Sequence, residues 1–157
     1  MSNSYVHAIW CDDIRQEVGN KPSFMGVYVG GMTVGSTPVV LPRLAVYAWI
    51  ISPLDEPLTK ISLKIIRDDG FVLAELPCVD IPDVKEVSNI NNRIDVSRNT
   101  IAVGITIASV EIPDGCKYFS ILVNTGSDTL EGSKLHIDVN PEAINLMNTS
   151  YLPPVPP

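Results

Sequence analysis

Apolar and polar residues alternate with period two along most of this chain, and hardly anywhere with the 3.6-residue period of a helix. Strand-like alternation begins over residues 5–12 (YVHAIWCD), turns at Gly19-Asn20 and resumes over 23–30 (SFMGVYVG). Residues 30–42 are rich in Gly, Pro and Thr and predict a loop. Residues 43–52 (RLAVYAWIIS) form the most apolar strand. Leu44, Val46, Ala48 and Ile50 share one face, and Tyr47 and Trp49 the other. Such a strand is expected to be central, covered on both sides or lying along an interface, and Pro53 should end it because proline cannot continue a ladder.

Residues 60–67 alternate with Ile61, Leu63 and Ile65 inward, and Asp69-Gly70 before FVLAEL is a hairpin signal. Residues 77–99 are polar and predict a long loop with one helical turn near 83–87. Residues 100–112 place Ile101, Val103, Ile105 and Ile107 on one face. A Pro113-Asp114-Gly115 turn, a strand over 117–124, a loop and a last strand over 133–139 follow. The expected core holds Ile61, Leu63, Ile105, Ile107, Ile121 or Leu122, and Ile137. Residues 141–147 (PEAINLM) suit one or two helical turns, and 152–157 (LPPVPP) an extended polyproline-II tail. About eight strands and no long helix predict an all-β chain, an antiparallel two-sheet β-sandwich over residues 1–140 with an extended tail over 141–157.

Two resemblances sharpen this. In PDGCKYFSILVNTG, Asp114 precedes Tyr118 by four residues and the following strand alternates toward a polar loop. This resembles the corner entering the penultimate strand of immunoglobulin-like domains. It implies that the Tyr118 hydroxyl bonds back to the turn; Ser120 stands where antibody domains carry a cysteine. The N-terminal third is similar to a group of small uncharacterised bacterial and phage proteins. The matching positions are Cys11, Asp12, Asp13, Arg15, Glu17, Gly19, Lys21, Gly26 and Tyr28. That group has no assigned activity, so the resemblance implies kinship without naming a function.

Composition narrows the function classes. Hydrophobic residues make up 45% and charged residues 18% of 157, enough apolar content for a core. The formal charge is −7, and neither half of the chain is basic. Phosphate-backbone binding needs clustered Lys and Arg, so no nucleic-acid partner is expected. The longest apolar run, 44–51, is far short of a membrane span, and no signal-peptide pattern opens the sequence. Three scattered cysteines fit free thiols in the cytoplasm.

The densest candidate chemistry is CDDIRQE. Adjacent strand residues point to opposite faces, so Asp12 and Asp13 should not converge as an acid/base pair. Asp13, Arg15 and Glu17 would form an acid–base–acid row pairing with Lys21 across a hairpin. A solvated hairpin end is preferred over a partner-binding patch, and both over catalysis. Only His7 and His136 are available as histidine ligands, and no zinc spacing exists. Asp68-Asp69-Gly70 has only the start of a calcium loop. Cys116, beside Lys117 in a turn, is the thiol expected to be exposed, but no base or nucleophile elbow accompanies any thiol. No cofactor or metal is therefore expected. Tyr47 and Trp49 need a cover: the tail, the 77–99 loop or another subunit, and a homodimer or higher oligomer formed through this sheet face or an adjacent edge is expected.

The leading expectation is a non-enzymatic protein-binding sandwich, an adaptor or phage accessory factor, with Asp13, Arg15, Glu17, Lys21, Tyr47 and Trp49 as partner-binding candidates. The alternatives are a structural or virion homo-oligomer component and a small-ligand or carbohydrate-binding module.

Overall fold

A computed structural model describes residues 3–82 and 97–142. Eleven strands run in order: β1 Tyr5–Cys11, β2 Asp13–Glu17, β3 Lys21–Met25, β4 Gly31–Val34, β5 Val39–Pro53, β6 Lys60–Arg67, β7 Val72–Asp80, β8 Arg98–Ile112, β9 Tyr118–Asn124, β10 Thr129–Glu131 and β11 Leu135–Val139. The all-β expectation holds: strands take up 67% of the described residues, which contain no helix. They form a three-stranded sheet β1-β5-β8, a larger sheet β4-β11-β9-β6-β7 with β10 beside β9, and a separate hairpin β2-β3. These sheets do not close into a barrel. Every pairing is antiparallel except β4 with β11.

The core lies between the two larger sheets. Leu44, Val46, Ala48 and Ile50 of β5 are all buried, as the alternation requires, together with Leu63, Ile65, Phe119, Ile121 and Val123 from the facing sheet. Each such Leu, Ile or Phe contributes roughly 1.5–3 kcal/mol by leaving water. Ile61, Leu63, Ile121 and Ile137 are in this core as expected. Ile105 and Ile107 are not fully buried: they pack against its margin, because β8 is an edge strand with a pairing partner on one side only among the described residues.

Two features tie the sheets along the β1 side. The Trp10 indole N–H donates to the Ser133 carbonyl at 2.8 Å, and the Ser133 hydroxyl donates to the Ala8 carbonyl at 2.8 Å. Beside them, a Cβ placed on Gly132 would lie 2.5 Å from Ile121 Cγ2 and 3.1 Å from Val6 Cγ1. Only glycine lets the β10–β11 connection pass so close.

Several expectations need correction. The predicted loop over 30–42 contains β4 and the start of β5. Met32 and Val34 carry a short period-two signal, and parallel pairing with β11 turns it into a strand. Pro42 lies within β5. The ladder with β8 pairs Leu41 with Val110, skips Pro42 and Ser109, and resumes with Arg43 and Ala108. Ser109 takes a φ of 55° there, and both strands exchange their faces: Leu41 and Leu44 both turn toward the core, as do Ile107 and Val110. β7 extends to Asp80 rather than ending before Pro77, by setting four of its residues, Leu76 to Val79, against three of β6, Ile61 to Leu63. Such a bulge on an edge strand tolerates a proline. The predicted Asp69-Gly70 turn does join β6 and β7, with Gly70 at φ 85° and Arg67 paired with Asp69 at 2.7 Å. The predicted 23–30 strand is instead β3, which pairs with β2; past Gly26 only Tyr28 pairs, with Trp10. Residues 83–87, 143–147 and 152–157, where helical turns and the polyproline tail were expected, lie outside the described residues.

Candidate functional site

On β5, Ala45, Tyr47, Trp49 and Ile51 face away from the core. Register places Cys11, Ile9, His7 and Tyr5 of β1 on one side of them, and Thr106, Gly104, Ala102 and Thr100 of β8 on the other. The Tyr47 and Trp49 rings meet edge-on with centroids 4.8 Å apart, and His7 lies 5.8 Å from Trp49. The β2–β3 hairpin folds onto this outer face. Ile14 and Phe24 are cross-strand partners, so they project to the same side. Phe24 meets Tyr47 at 5.2 Å and Trp49 at 6.0 Å. A Cβ on Gly104 would sit 3.1 Å from the Tyr47 ring and 3.5 Å from Ile14 Cδ1, so glycine makes room for the contact. The cover of Tyr47 and Trp49 therefore comes from this chain's own hairpin, which was not among the covers expected. It is incomplete: both rings stay partly exposed, and Tyr5 and His7 are exposed beside them.

The polar row does not assemble. Asp13 pairs with Arg43 at 2.8 Å, not with Lys21. Glu17 and Lys21 are opposed in register, yet neither they nor Arg15 joins an ion pair among the described residues. The Gln16 amide donates instead to Asn20 Oδ1 at 2.9 Å beside the turn, where Gly19 and Asn20 have positive φ. This is a solvated hairpin end.

Asp12 and Asp13 diverge as predicted from strand geometry. Asp12 accepts a hydrogen bond from the Tyr28 hydroxyl, and its backbone N–H reaches the carbonyls of Met25 (2.9 Å) and Gly26 (3.2 Å). Gly26 has φ 63°, and a Cβ there would lie 1.9 Å from Asp12 Oδ2. Burial first, and then the Asp12 carboxylate, hold the Tyr28 phenol well above its ordinary range. Sequence reading placed Asp12, Gly26 and Tyr28 in one motif but gave no sign that they touch.

Thiol chemistry is poorly served here. Cys11 is fully buried, its Sγ 3.4 Å from the Asp13 carbonyl, and burial followed by Asp12 pushes its pKa up. Cys116 is buried rather than exposed, because the turn after Pro113 tucks it against Asp68; burial and that carboxylate push it up to about 11. The exposed thiol is Cys78. Raised pKa values disfavour the reactive thiolate. The Tyr118 hydroxyl makes no hydrogen bond to the 113–115 turn. Its ring instead lies 4.5 Å beneath Lys134 Nζ and 6.1 Å from His136.

At the opposite end, an open groove of about 620 Å³ runs between residues 56–60, residues 125–128 and Ser4. It holds hydroxyls, Glu56, Lys60 and Asp128 but no aromatic ring, so it offers no stacking platform for a sugar. Among the described residues no cluster of His, Cys, Asp and Glu is placed to hold a metal, and no helix is long and apolar enough to cross a membrane. No protein-family model, curated protein or solved structure matches this chain.

Proposed function

We propose that this chain is a non-enzymatic, protein-binding β-sandwich of the broad immunoglobulin-like kind, working in the cytoplasm as an adaptor or as an accessory factor of a phage or mobile element. The observation that carries the reading is the outer face of β1-β5-β8. There Tyr47, Trp49 and His7 stand only partly roofed, next to a strip of small exposed residues on β8. Aromatic side chains combine large contact area with a polar tip, which suits them to interfaces. Diverging carboxylates and buried thiols with raised pKa values favour binding over catalysis.

Affinity capture with matched variants tests this. A specific partner is expected to be retained by wild type and by Glu17→Ala, and lost with Trp49→Ala. Equal capture by Trp49→Ala removes this face from the function.

A second reading, a homo-oligomeric structural component, is favoured by β8 itself. From Asn99 to Val110 the strand carries no charge, although charges are the usual guard of an edge. Light scattering should then give a multiple of the 17.1 kDa chain mass that falls to a monomer with Thr106→Lys.

A further inference from the structure

We infer that β8 pairs antiparallel with the β8 of a second copy of this chain, about a twofold axis at Gly104, so that two three-stranded sheets run on as one. This rests on the homo-oligomeric reading and gives it an interface and a register.

Among the described residues β8 pairs with β5 alone, so its other side carries a row of unpaired backbone N–H and C=O groups. The other long edge is guarded. β7 carries Glu75 and Asp80, and a bulge around Pro77 interrupts its ladder. β8 has no charge from Asn99 to Val110, and its alternation is regular from Asn99 to Ala108, up to the change of face at Ser109. Edge pairing acts in the plane of the sheet. Ile14 meets Gly104 from the outer face instead, and the hairpin takes up none of these backbone groups.

The strand is complementary to itself. Residues 99–109, NTIAVGITIAS, read nearly the same in both directions about Gly104. An antiparallel pair centred there sets Val103 against the partner's Ile105, Ile101 against the partner's Ile107, and Ala102 against the partner's Thr106. Each β-branched aliphatic residue meets another, and each small residue a small one, which is the pairing that stabilises a ladder. Moving the axis two residues toward the C-terminus would set Val103 against Ser109, where the strand changes face, and Ile101 against Glu111. Moving it two residues the other way would set Thr106 against Arg98 and run Ile107 past the start of β8.

Burial favours the same contact. Ile101, Val103, Ile105 and Ile107 point inward yet are only half-buried, at the margin of the core. A second β8 alongside closes their open flank, and a twofold contact does so in both copies at once.

The test uses the full chain with Cys78→Ser, which removes the exposed thiol, and adds Ala102→Cys with Thr106→Cys. Along one strand these positions lie about 13 Å apart, too far to bridge within a chain. Across the axis, position 102 of one copy and 106 of the other lie about 4.5–5.5 Å apart, within disulfide reach. Mild oxidation is expected to give a covalent dimer whose peptide map joins 102 to 106. Thr100→Cys with Thr106→Cys, out of register, should not cross-link. In the wild-type chain, the edge amides of β8 exchange fast in the dilute monomer and should slow as concentration raises the mass to twice 17.1 kDa. An oligomer without the 102–106 bridge, or with equal bridging in the control, overturns the β8 pairing and leaves the homo-oligomeric reading standing. An oligomer whose β8 edge amides stay fast does the same, even if the cysteine variants fail to fold. A monomer at every concentration overturns both, and slow edge amides in that monomer assign the edge to a segment of the same chain.

Discussion

Asp12, Gly26 and Tyr28 form a small closed unit at the base of the β2–β3 hairpin. Gly26 can hold φ 63° and lie under the Asp12 carboxylate because it has no Cβ. Gly26→Ala is therefore expected to destabilise by about 1–3 kcal/mol, read as a lower denaturant midpoint. Expelling the carboxylate would also free the Tyr28 hydroxyl. The pH dependence follows from the direction of the Tyr28 shift. Its folded-state pKa is raised, so the neutral phenol is favoured in the fold. That contribution is complete below about pH 10, the unfolded value, and is lost as pH rises through the folded one. The thermal midpoint should fall on the alkaline side, and Tyr28→Phe should make that fall shallower. An unchanged alkaline slope would show that the phenol does not report on folding.

At the scale of elements, the period-two pattern located most strands and the inward face of β5 because burial on one side writes itself directly into alternation. It could not say which element covers the other side. Ile14 and Phe24 are unremarkable in sequence; only the hairpin register brings both onto Tyr47 and Trp49. β4 was hidden for a related reason, since its partner β11 is about a hundred residues away and pairs in parallel. Pro42 belongs to the stretch that reads as a loop, yet the ladder skips that position and continues. Two substitutions probe these layers. Ile121→Ala, between the main sheets, should cost about 2–5 kcal/mol, whereas Ile105→Ala at the β8 margin should cost less. Phe24→Ala should shift the fluorescence of Trp49 to the red while leaving the far-UV circular dichroism unchanged, because it strips the roof and not the sheet.

For the molecule as a whole, the two long sides differ. Along β1, Trp10, Ser133 and Gly132 hold the two sheets in direct contact. Along β7 and β8, both strands are edges among the described residues, and apart from Val110 and Ile112 near the end of β8 the residues that face inward are only partly buried. The molecule is bound like a book, with a glued spine and a loose fore-edge. Thermal fluctuation should use that asymmetry: the sheets part at the fore-edge while the spine stays shut. Amide hydrogen exchange should be slowest in β9 and the middle of β5, and much faster on β7 and on the free edge of β8. Replacing Gly132 with alanine would force a spacer into the spine itself. Protection should then drop on both long sides at once, because a binding that no longer closes cannot keep either margin of its pages aligned.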